Sequence, residues 1–160
     1  MWYVIGGIVI ILLVGWFLMH GAGSLLGAAS GGDMEPGVDR PTSYSTDEGT
    51  VSVGANARMP ENWPSDAPQN VAGSSIVYSG SSNPQTGESG SAVTYTANAS
   101  VQSVVDYYKA QLASGGWTIE GTVNAGGATV ISAKKATRTF GVYIVESGQG
   151  AVTVTAGVGM

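Results

Sequence analysis

The hydrophobic and polar positions divide the chain into three stretches. Residues 2–19, WYVIGGIVIILLVGWFLM, form an apolar run without a charge, leaving no helical face for water. At about 1.5 Å per residue such a run is long enough to cross the hydrocarbon core of a bilayer. Trp2 and Tyr3 lie at one end, Trp16 and Phe17 at the other, where aromatic rings sit at membrane interfaces. The pattern predicts a single transmembrane anchor over residues 1–22, with the lipid bilayer as partner of residues 2–19. Periodicity then disappears. Gly, Ser, Thr and Asp dominate up to residue 58, Pro36 and Pro41 interrupt any helix, and a disordered linker is expected over residues 23–58.

Regular patterns return at residue 59 and predict one domain over residues 59–160. Ile76 and Tyr78 alternate with polar neighbours, as do Val93 and Tyr95, which is the period of a strand. Val101, Val104, Val105, Tyr108 and Leu112 then recur at helical spacing behind Ser100, a capping residue. Gly115 and Gly116 end that helix through a left-handed turn. Trp117 opens a strand expected to carry Ile119 and Val123 on one face and Thr118, Glu120 and Thr122 on the other. ATVISAKK, RTFGVYIVE and AVTVTAGV supply three more strands, joined through Ala136-Thr137 and through Ser147–Gly150. The expected class is α+β: a twisted antiparallel sheet packed on one helix, in the order ββα and then four strands.

Met59–Pro68, MPENWPSDAP, is neither linker nor strand. Three prolines stiffen it, and Trp63 has a large apolar surface that wants cover. The expectation is a strap over the domain with Trp63 as its plug. A Pro-rich recognition peptide is the alternative, and it lacks a repeated P-x-x-P frame.

Two other readings of the apolar run were weighed. A cleaved signal peptide wants a basic n-region, and no Lys or Arg precedes Arg40, although Ala22, Gly23, Ala28 and Ala29 offer small residues beyond the run. A pilin-like filament helix wants a basic leader and an early Glu, and no acid precedes Asp33. Lys and Arg are absent from both ends of the run, so charge asymmetry gives no direct orientation. With an acidic linker and the bulk of the chain following, the expected placement is in the cell membrane, N-terminus cytoplasmic and domain outside.

Composition narrows the chemistry. Cysteine is absent, which removes disulfides, a thiol nucleophile, thiolate zinc sites and a lipidated cysteine. The net charge of −5 comes from the segment before residue 70, where seven acids face Arg40 and Arg58. The part from residue 71 onward is balanced and has no basic face for nucleic acid. His20, the single histidine, lies outside the domain, so no Ser–His–Asp arrangement can form there. Asp106, Glu120 and Glu146 read as surface carboxylates, and no phosphate-binding glycine motif precedes a helix. Neither an enzyme nor a cofactor is expected. Lys134, Lys135 and Arg138 cluster at one hairpin as a candidate anionic-partner patch, with charged edge protection as the plainer explanation. Together with Trp63 and Tyr143 they make the candidate interaction surface. Asn98-Ala-Ser100 matches a glycosylation sequon, but Ser100 is already assigned to the cap.

The segment Tyr107–Trp117, YYKAQLASGGW, preceded by T-x-x-x-S at Thr96–Ser100, resembles small exported bacterial domains, many of them membrane-anchored, whose helix ends Y-x-x-x-L-x-x-x-G-W. The resemblance implies fold and location and carries over no catalytic residue. The expected function is a membrane-tethered binding or scaffold module with a protein or cell-envelope partner. A self-assembling, homo-oligomeric structural subunit using the N-terminal helix is the alternative.

Overall fold

A computed structural model describes residues 42–46, 49–55, 57–82 and 90–160. The predicted anchor and the linker up to residue 41 lie outside them. Among the described residues no helix is long and apolar enough to cross a membrane.

Among the described residues, eight strands and one helix follow in the order β1 (Thr42–Thr46), β2 (Gly49–Val53), β3 (Ser75–Ser82), β4 (Gly90–Ala97), α1 (Val101–Ser114), β5 (Thr118–Ala125), β6 (Ala128–Lys135), β7 (Arg138–Gly148) and β8 (Ala151–Gly159). They form one antiparallel sheet in the order β1-β2-β3-β4-β8-β7-β6-β5. The α+β class and the ββα-then-four-strands order of residues 59–160 match the expectation. Within the expected linker, Thr42–Thr46 and Gly49–Val53 depart from it and add β1 and β2 to the sheet edge. Their short, polar sequences TSYST and GTVSV give little apolar signal; β1 is an edge strand with one hydrogen-bonded neighbour, and β2 pairs on both sides, with β1 and β3.

Helix α1 starts where Ser100 accepts from the Ser103 N–H at 3.2 Å. It ends in a Schellman motif: the Trp117 N–H donates to the Leu112 carbonyl (2.9 Å) and the Gly116 N–H to that of Ala113 (3.2 Å). Only Gly116, at φ 73°, is left-handed. Gly115 has an ordinary φ of −76° and is glycine for another reason: a Cβ there would collide with the Asp66 carbonyl. The chain crosses along α1 from β4 to the far edge and returns by three hairpins. Gly126-Gly127 and Gln149-Gly150 supply the positive φ that tight two-residue turns need.

The apolar stripe of α1 (Val104, Val105, Tyr108, Leu112) packs on the inner faces of β4, β8, β7 and β6, with Tyr95, Phe140, Ile131 and Val154 at most 1% exposed. Tyr95 and Tyr108 bring hydroxyls into this core and pair them at 2.8 Å. Burial raises both phenols, Tyr95 to about 12 and Tyr108 well above its ordinary value.

Of three register shifts among the described strands, the one between Glu146 and Gly148 lies at the β7–β8 turn, and the other two change the expected faces. The register slips between Ile76 and Tyr78 in β3 and between Ile119 and Gly121 in β5. One extra residue inverts side-chain parity beyond it. Ile76 and Ile119 therefore point under the helix, opposite the core residues Tyr95 and Ala133. Tyr78 and Val123 point to the other face, opposite Thr94 and Val130. Val123 is 59% exposed and does not share the face of Ile119 as expected.

Candidate binding surface

The helix side of the sheet is closed by the strap. Trp63 is a buried plug, edge-on to Phe140 at 6.4 Å between centroids, and its indole N–H donates to the Pro68 carbonyl at 3.1 Å. As a plug it matches the expectation; as part of an interaction surface it is withdrawn, because its ring is already covered. Further along, Asn62 accepts from the Ser91 hydroxyl (2.7 Å) and the Gln69 carbonyl accepts from Tyr107 (3.3 Å).

Asp66 fastens the strap. Its carboxylate accepts two bonds from the Arg138 guanidinium, at 2.8 and 2.6 Å, and one from Lys135 Nζ at 2.5 Å. Lys135 also donates to the Gly115 carbonyl (2.6 Å), and the Trp117 indole N–H donates to the Asp66 carbonyl (2.7 Å). Arg138 lies over the Trp117 ring at 5.1 Å. Hydrogen bonds from Arg138 and then Lys135 hold the Asp66 carboxyl far below the usual range, and Asp66 in turn raises Arg138. The basic hairpin is thus divided. Lys135 and Arg138, candidates for an anionic partner or for plain edge protection, are both engaged by Asp66, while strand alternation places Lys134 on the opposite face. Spacing alone did not single out Asp66, whose partners lie 69 and 72 positions away.

The other face of the sheet is not covered by any described residue. Cross-strand register aligns one row across seven strands: Val53, Tyr78, Thr94, Thr155, Tyr143, Val130 and Val123. Val53, Val123 and Tyr143 are exposed. At the centre of the row the Thr94 and Thr155 hydroxyls meet at 3.1 Å, and Thr96 faces Thr153 beside them. The phenol end of Tyr78 lies over Gly80, its hydroxyl 2.8 Å from where a Cβ would stand, and this partial burial raises its pKa. Of the charged side chains described, register puts only Lys134 on this face; Glu120 stands at the edge-strand bulge. Tyr143 therefore belongs to the candidate surface, together with Tyr78, Thr94 and Thr155, which periodicity alone did not pick out.

Asp106, Glu120 and Glu146 are exposed on separate elements. Among the described residues no group of three His, Cys, Asp or Glu side chains could hold a metal ion.

A family model described as START domain-like matches residues 76–154, the stretch from β3 through α1 into β8. The likeness thus takes in the helix and the strands that grip it, and leaves out the strap, β1 and β2. No curated protein and no solved structure matches the chain.

Proposed function

We propose that this chain is a membrane-tethered, extracytoplasmic binding module without catalysis. Residues 2–19 lie in the bilayer, the N-terminus is cytoplasmic, and the domain displays the open face of its sheet to a partner. The observation that carries this reading is the row from Val53 to Val123. It sets exposed aromatic and aliphatic side chains on a rigid sheet, while the basic side chains nearest the helix are already engaged by Asp66. A binding surface built on strands needs no moving parts and no perturbed acid or base. The likeness to exported bacterial domains argues for the same location.

The test is a photocrosslinking amino acid placed in the full-length protein at Tyr143 and, separately, at Gln102 on the solvent side of α1, in intact membranes. Adducts from position 143 alone are expected, on a chain whose intact mass shows residues 1–22 retained in the carbonate-washed pellet. Equal labelling from both positions, or a soluble chain lacking those residues, would refute it. Adducts between two copies of the chain would instead favour a self-assembling subunit.

A further inference from the structure

The open face also has a chemistry that selects among partners. We infer that it binds an uncharged polysaccharide, laid across the strands along the row from Tyr78 to Tyr143. This rests on the binding-module reading and names its partner class.

Three features argue for that ligand. The first is charge: register places Lys134 alone among the described charged side chains on this face, and a single cation makes no charged patch for a polyanion or a charged peptide. The second is the pairing of group types. Sugar rings present apolar C–H faces and a rim of hydroxyls that both donate and accept. Tyr78 and Tyr143 offer aromatic surface with a polar tip, and the half-buried Thr155, Thr96 and Thr153 offer hydroxyls of the same dual character, with Thr94 buried beneath and bonded to Thr155. The third is layout. Stable protein interfaces put the apolar groups at the centre and the polar groups at the rim. Here the hydroxyl pair Thr94–Thr155 holds the centre and Val53 and Val123 hold the ends, which disfavours a second protein surface and suits a ligand that is itself studded with hydroxyls.

Length follows from the register. Tyr78 and Tyr143 are separated by Thr94 and Thr155, hence by three strand spacings, or about 14 Å. A single sugar cannot touch both rings, so the ligand is a chain. Gly80 belongs to the device. Its bare Cα lets the Tyr78 ring lie down along the sheet, and a methyl group there would lift the ring while meeting only the far end of a flexible side chain.

The experiment is affinity electrophoresis of the full-length protein, in a polyoxyethylene detergent that carries no sugar, through native gels containing hydroxyethylcellulose, dextran or galactomannan, with carboxymethylcellulose as the charged control. Retardation by at least one neutral polymer and none by carboxymethylcellulose is expected. Tyr143→Ala and Gly80→Ala should each weaken it at least fivefold, and Gln102→Ala should not change it. Unchanged thermal unfolding of Gly80→Ala separates lost binding from lost fold. No retardation by any neutral polymer overturns the proposal, as does equal retardation by carboxymethylcellulose or indifference to Tyr143→Ala. A dimer broken by Tyr143→Arg would overturn it in favour of a second copy. Protein adducts from position 143 without polysaccharide retardation would defeat the glycan and leave the binding module standing; absence of both would defeat the two together.

Discussion

The Tyr95–Tyr108 hydroxyl pair predicts a non-additivity that packing alone would not. Both side chains are 0% exposed and their hydroxyls pair at 2.8 Å. Tyr95→Phe strands the Tyr108 hydroxyl, and Tyr108→Phe strands that of Tyr95. At about 1–3 kcal/mol for a buried orphan, each single variant should cost about 2 kcal/mol. The double variant contains neither hydroxyl. It should cost no more than either single variant, about 2 kcal/mol less than their sum. The assay is urea unfolding of the full-length protein in mild detergent, followed by Trp fluorescence and analysed at equal m-values. A second readout is pH. Burial raises both phenols, to about 12 for Tyr95, so the unfolded chain loses these protons first. The pair's contribution is complete below about pH 10 and is lost as pH rises towards the folded values; the double variant should lack that part of the alkaline decline. A double variant at the sum of the two single costs, or single variants that cost nothing, would refute the assignment of partners.

Asp66 should show the opposite pH sign. Its folded pKa is depressed, so its contribution is present above the unfolded value near 4 and is lost as pH falls further. With about 30% of the side chain exposed, solvent screens the ion pairs, and Asp66→Asn should cost about 1 kcal/mol at neutral pH and flatten the acid limb of a denaturation series. Gly115→Ala should destabilise by about 2 kcal/mol despite an ordinary backbone, because the Asp66 carbonyl occupies the space of the new methyl group; thermal unfolding measures it. Ala136 holds φ 54° in the β6–β7 turn, so Ala136→Gly should raise stability by about 0.5 kcal/mol in the same assay.

What the sequence made legible was what depends on neighbours along the chain. The α1 stripe, its Ser100 cap and the alternation of β4 and β8 all follow from local spacing, and each is present as expected. What it hid depends on residues far away. Lys135 and Arg138 look like hairpin-tip charges until the strap brings Asp66 to them across 69 and 72 positions. The strands β1 and β2 look like linker because their stabilisation comes from backbone pairing, β2 with β3 and β1 with β2, and not from an apolar pattern in their own sequences. The misassigned faces of β3 and β5 are the most informative departures. Strict alternation would have buried Tyr78 beside Ile76 and Val123 beside Ile119. Each bulge inserts one residue and turns the following side chain outward, onto the row that Tyr143 already occupies. A bulge forfeits ladder pairing for the residue it inserts, and these two serve the same face, whereas the third, between Glu146 and Gly148, lies at the β7–β8 turn. That coincidence ties the irregularities of β3 and β5 to the surface proposed to bind, since an undisturbed β3 would leave that surface with Tyr143 as its single aromatic on the row.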